Sequence, residues 1–99
     1  MNNFRTFHLA VEFNRQARRL PVRGALKNQL ERAAQSIALN LAEGRGKPTV
    51  KDQKRFFSIA MGSLRECQAA LMLAELEGSE CWILLDKLGA HLYRLIKNG

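Results

Sequence analysis

Residues 25–44 read ALKNQLERAAQSIALNLAEG, and their spacing decides the fold class. Leu26, Leu30, Ala33, Ala34, Ile37 and Leu41 fall at i, i+4, i+7, i+8, i+11 and i+15, a single stripe on a helix of 3.6 residues per turn. A strand would alternate apolar and polar residues, and this segment does not. Gly44 stands where a left-handed C-terminal cap belongs, which predicts a helix from about Ala25 to Glu43. The following Gly44-Arg45-Gly46-Lys47-Pro48 reads as a loop, since two glycines and a proline do not readily extend a helix.

The same period runs outward in both directions. Upstream, a first helix is expected from about Asn3 to Leu20, with Phe4, Phe7, Val11 and Asn14 on one line and Ala10, Phe13 and Ala17 widening it. Pro21 and Gly24 then make a turn. Downstream, Thr49 can cap a third helix, and Asp52 three residues on suits the positive end of its dipole. That helix is expected to reach about Glu77 and stop at Gly78, with Phe56, Ala60, Ser63, Cys67, Ala70 and Ala74 as its central line. Ser79 can cap a fourth helix, running to about Lys97. Its stripe is Cys81, Leu85, Leu88, Leu92, Leu95 and Ile96, with Trp82 at one edge. Connections this short place sequential helices antiparallel. The predicted fold is therefore all-α, an up-down-up-down four-helix bundle occupying residues 1–99 as a single domain.

Some apolar residues exceed what one stripe per helix can bury. Met72, Leu73 and Leu76 on the third helix, and Ile83 and Leu84 on the fourth, lie off the main lines. Scattered exposed leucines are ordinary, but these cluster around one hairpin and predict self-association there.

Charge is distributed unevenly. The chain carries 16 Lys and Arg against 9 Asp and Glu, a net charge of +7. Residues 1–55 hold 12 of the basic and 4 of the acidic groups, so one side of the molecule is basic and the other almost neutral. Such asymmetry suits a polyanionic partner, while a merely solvated surface explains the bare charge equally well. Arg45, Lys47, Lys51, Lys54 and Arg55 form the first candidate cluster, at the second connection and the start of the third helix. Arg15, Arg18, Arg19 and Arg23 form the second, at the end of the first helix and the turn after it. In an antiparallel bundle the two lie toward opposite ends. No aromatic residue interleaves with these charges in sequence, so phosphate contact without base stacking is expected.

No catalytic constellation is visible. His8 and His91 lack ligand partners at i+3 or i+4, so no metal site is expected, and no motif calls for a cofactor. The serines lack a nucleophile-elbow context, and the segment Glu43–Thr49 lacks both the strand and the Gly-Lys-Ser/Thr ending of a phosphate-binding loop. Cys67 and Cys81 have no metal or redox spacing; they read as small buried hydrophobes not joined to each other. Gln29, Ser36, Asn40 and Glu43 line one edge of the second helix, with Ser63 and Glu66 as partners across the bundle. This polar seam reads as a register-fixing network, with a polar pocket as the other reading. No stretch approaches the roughly 20 apolar residues of a membrane span. With no targeting signal at the N-terminus either, the expected location is the cytoplasm and no membrane partner is expected.

The central segment QLERAAQSIALNLAEGRGKPTVKDQKRFFSIAMGSLREC resembles the four-helix-bundle family of 23S rRNA-intervening-sequence proteins. The resemblance rests on Gln29-Leu30, Arg32-Ala33-Ala34, Ser36-Ile37, Asn40-Leu41-Ala42-Glu43-Gly44, Arg55-Phe56-Phe57 and Ala60-Met61-Gly62-Ser63 with Glu66. Gln53 stands where the family usually has an aromatic, Ala38 replaces a frequent proline, and the linker after Pro21 is shorter. The resemblance implies a protomer that assembles into a five-fold ring, a homopentamer, with a basic surface suited to nucleic acid. In fold it extends to the accessory variability protein of diversity-generating retroelements, which implies a reverse-transcriptase-like partner as another option. The function expected is that of a non-enzymatic, oligomeric accessory protein binding RNA or DNA. The competing expectation is a scaffold for an acidic or reverse-transcriptase-like protein.

Overall fold

The computed structural model describes residues 3–98 and contains four helices: α1 (Asn3–Arg18), α2 (Gly24–Arg45), α3 (Val50–Leu73) and α4 (Glu80–Asn98). Each helix packs on its two neighbours in the cycle α1–α2–α3–α4–α1, and among the described residues the diagonal pairs bring no Cα atoms within 8 Å of each other. Contacts across α2 and α3 run in opposite order along the two helices. The Leu30 carbonyl lies near the Cys67 thiol, Ser36 meets Ser63, and Gly44 meets Phe57. Gly89 likewise meets Leu64 across α3 and α4, and Arg45 meets Phe4 and Phe7 across α1 and α2. These registers make the bundle antiparallel, with a long axis of 39 Å.

The core is one continuous cluster in which Phe13, Ile37, Leu41, Leu71, Leu85, Leu88 and Leu92 are fully buried. The lines that fill it differ from expectation in two helices. On α1 the buried line is Thr6, Ala10, Phe13 and Ala17, while Phe4 is 53% exposed. On α3 the buried phenylalanine is Phe57 rather than Phe56, which is half-buried. Leu64 and Leu71 join that inner line, and Ala74 has moved to its edge. The stripes of α2 and α4 are as expected, with Leu26 and Ile96 half-buried at their ends.

Three termini correct the sequence reading. The first helix stops at Arg18, and a short turn carries the chain to Val22, which is buried. Gly44 does not cap α2: it is helical and buried, and Gly46 closes the helix with a right-handed φ of −84°. The reason is a close approach. A Cβ on Gly44 would lie 2.6 Å from Cε1 of Phe57, so the glycine makes room for the ring. The third correction is that α3 ends at Leu73, four residues before Glu77. Glu75 adopts φ 58°, the Glu75 N–H donates to the Met72 carbonyl and the Leu76 N–H to the Leu71 carbonyl. That pair of bonds is a Schellman cap, with Glu75 in the place usually taken by glycine and Leu76 folded back onto the core.

The two predicted caps form. The Asp52 N–H donates to Thr49 Oγ1 at 3.2 Å, and the Trp82 N–H to Ser79 Oγ at 3.2 Å. Cys67 and Cys81 are both buried free thiols. Burial pushes Cys67 up to about 12, with like charge from Cys81 and Glu66 adding to it, and pushes Cys81 up to about 11. Thiols so far from ionising are poor nucleophiles, consistent with a packing role.

Candidate nucleic-acid interface

The antiparallel registers bring four chain segments to one end of the bundle: the start of α1, the α2–α3 turn, the start of α3 and the end of α4. All five residues of the first basic cluster are here. Arg45 closes α2, Lys47 lies in the turn, and Lys51, Lys54 and Arg55 occupy the opening turns of α3. Lys51 and Arg55 are exposed, and the other three are half-buried along their stems. Lys47 Nζ pairs with Glu43 at 3.1 Å, an exposed contact worth about 0–1 kcal/mol. Gln53 donates from Nε2 to the Lys47 carbonyl at 2.9 Å and so ties the turn to α3.

Aromatic rings stand among these charges, contrary to the sequence expectation. The Arg45 guanidinium lies 4.8 Å from the centroid of Phe4 and 5.6 Å from that of Phe7. Phe56 is approached by Arg55 at 4.9 Å and by Lys47 at 5.1 Å. His8 packs edge-on against Phe4, with centroids 4.4 Å apart. Cation–ring contacts at exposed sites contribute about 0.5–1 kcal/mol each, enough to bias where the long side chains rest. The sequence hid this because Phe4 and Phe7 come from another helix, and the adjacent Phe56 reads as a core residue.

The charge at this end extends to α4. The His91 imidazole is held below its ordinary value of 6.5, first by desolvation and then by the positive charges of Arg5, Arg94 and Lys87.

The other candidate residues are dispersed. Arg15 and Arg18 line an open groove of about 440 Å³ between α1 and α2, together with Val11, Asn14, Gln35, Ala38 and Leu39. Arg19 lies on the other side of α1, beside Glu80 at the start of α4, and Arg23 precedes α2 as its exposed, extended N-terminal residue. This cluster therefore spreads over two faces at the end of the molecule away from Arg45.

The polar seam also divides. Ser63 Oγ donates to Ser36 Oγ at 2.7 Å, and Asn40 Nδ2 donates to the Ser36 carbonyl at 2.9 Å and its hydroxyl at 3.1 Å. Gln29 and Glu66 are exposed and face a shallow cleft at the α2–α3 edge. Glu43 belongs instead with Lys47. Among the described residues no buried side-chain nitrogen or oxygen lacks a partner.

Of the apolar residues set aside for self-association, Met72, Leu73 and Ile83 are 53%, 74% and 62% exposed. Leu76 and Leu84 are half-buried, each packed partly on the protomer's own core.

Among the described residues no three His, Cys, Asp or Glu side chains converge as metal ligands, and no helix is long and apolar enough to cross a membrane. The fold and its charged end define a class: a small antiparallel helical bundle whose notable chemistry is a basic, aromatic-lined surface. Residues 5–79 match the family model described as 23S rRNA-intervening sequence protein. That span is most of the chain, and the chain belongs to this family. No curated protein and no solved structure matches it.

Proposed function

We propose that this protein is a non-enzymatic, oligomeric accessory protein that binds RNA or DNA through the α2–α3 end of the bundle. One observation carries the reading: Arg45, Lys47, Lys51, Lys54 and Arg55 gather at one end of the bundle around the α2–α3 turn, and Glu43 and Asp52 are the only carboxylates between residues 43 and 55. Cations at this density favour a partner with closely spaced negative charge, and phosphate backbones supply it. Binding of this kind has weak sequence preference, because phosphates position a protein without specifying bases.

Self-association belongs to the same proposal. Met72, Leu73 and Ile83 are too exposed to contribute to the protomer core, and a second copy would cover them. The family resemblance adds a five-fold ring, in which each basic end is repeated and modest contacts multiply.

The α1–α2 groove favours the second reading, a scaffold for a protein partner. It is lined by the apolar Val11, Ala38 and Leu39 together with Arg15 and Arg18, a combination suited to an amphipathic acidic helix.

The deciding experiment is a salt titration of binding to labelled RNA and DNA. Affinity is expected to fall steeply with salt, and replacing the five residues by Gln should flatten the slope by about one unit for each phosphate no longer neutralised. Absence of binding at low salt overturns the proposal and leaves the scaffold reading.

A further inference from the structure

The basic end differs from a plain charged patch in one respect: its cations lie on aromatic rings, one of which belongs to an exposed residue. Phe4 is 53% exposed although it sits beside Arg45, Phe7 and His8. Phe56, half-buried at the start of α3, carries both Arg55 and Lys47. The α2–α3 turn connects the two groups, since Arg45 serves one and Lys47 the other.

We infer that this end takes a single-stranded nucleic-acid segment, with bases stacking on the Phe4–Arg45 and Phe56–Arg55 groups and phosphates held by the neighbouring lysines. The inference rests on the nucleic-acid reading of the basic end and specifies the form of the ligand. Phosphate attraction alone does not distinguish strands from duplexes, since both present dense negative charge. Aromatic rings do distinguish them. The bases of a duplex are already stacked on one another, whereas an unpaired base exposes a π-face that gains from a ring or a guanidinium plane. Arginine fits both tasks: its flat face lies on a ring while its N–H edge remains directed at phosphate oxygens. A surface built only to attract a duplex has no use for an exposed phenylalanine among its cations. Stacking is also tolerant of sequence, because every base has a π-face.

The test compares three labelled probes of equal phosphate number by fluorescence anisotropy at fixed salt: oligo(U), oligo(dT) and a mixed-sequence duplex. The single strands are expected to bind on the order of tenfold more tightly than the duplex, the range that stacking of one base supplies. A preference between oligo(U) and oligo(dT) would identify which kind of strand the site takes. Phe4→Leu and Arg45→Lys keep the charge and should each remove most of that advantage, bringing the affinity for the single strands down toward that for the duplex. A Phe4→Trp variant in a Trp82→Phe background should show fluorescence quenching by the single strands and none by the duplex. If the duplex binds as tightly as the strands, or Phe4→Leu binds the strands like the unmodified protein, the stacking site is refuted and the phosphate-binding reading survives. If none of the probes binds at low salt, both fail together.

Discussion

Glu75 holds a left-handed backbone, φ 58°, at the point where α3 stops and the chain turns toward α4. For a residue with a Cβ that conformation costs roughly 1–2 kcal/mol, and glycine avoids it. Glycine also gains freedom in the unfolded chain, which offsets about half of the benefit. Glu75→Gly should therefore stabilise the protein by about 0.5–1 kcal/mol, which for a domain of this size raises Tm by roughly 4 °C. Thermal unfolding followed by circular dichroism at one protein concentration measures it, and an unchanged or lower Tm contradicts it. The early end of α3 was not legible because the expected stop signal, Gly78, is present and also left-handed, at φ 84°. What decides the end is Leu76, which reaches the core only if the helix breaks before it. That is a tertiary fact, and a local glycine signal does not report it. The same applies at the candidate interface. The five cations are legible as a run of charge, whereas the rings beneath Arg45 belong to α1 and meet it only once two helices pack.

Between elements, α2 and α3 form the most extensive helix pair, and their glycines show how closely they approach. Gly62 lies midway along α3 and Gly44 in the last turn of α2, both at helical positions where alanine is intrinsically favoured by up to about 1 kcal/mol. Their surroundings reverse the outcome at one of them. A Cβ at Gly62 meets nothing within 4 Å, whereas at Gly44 it would lie 2.6 Å from Cε1 and 2.9 Å from Cδ1 of Phe57, and 3.2 Å from the Gln53 carbonyl. Phe57 is 2% exposed and held by the core, so the ring cannot swing away. Gly62→Ala should then stabilise by about 0.5–1 kcal/mol. Gly44→Ala should destabilise by about 1–2 kcal/mol, because overpacking outweighs helix propensity. Urea unfolding of the two variants should move the midpoint in opposite directions; a shared direction refutes the argument. The helices themselves were readable from apolar spacing alone, most clearly α2 and α4. The rotation of α3 was not, because Phe56 and Phe57 are adjacent and either could face inward. The notch at Gly44 selects Phe57, and it lies on another helix.

Across the whole molecule, chemistry is divided between the two ends of the 39 Å axis. The α2–α3 end gathers cations on aromatic rings, while the α3–α4 end carries the dispersed arginines of the second cluster and exposes Leu73 at its helix terminus. Ile83 is exposed in the first turn of α4, near that same turn, and neither residue contributes to the core. If these residues join copies, the assembly leaves the basic ends free and repeats them, so protomers bind a polyanion as one multivalent body. Placing charge at the contact should undo this without unfolding the bundle, since surface substitutions away from the core usually change stability by less than about 0.5 kcal/mol. The double variant Leu73→Lys, Ile83→Lys is therefore expected to keep its helical circular dichroism and to fall to the monomer mass in light scattering. At equal protomer concentration and low salt it should also bind a long RNA or DNA strand at least about tenfold more weakly than the unmodified protein, since linking sites raises avidity by larger factors than that. Leu76 and Leu84 serve as controls of a different kind: they pack on the core, so lysine there should lower the unfolding midpoint. A monomer mass for the unmodified protein at micromolar concentration, or a double variant that keeps the unmodified protein's mass, would show that the apolar end does not hold copies together.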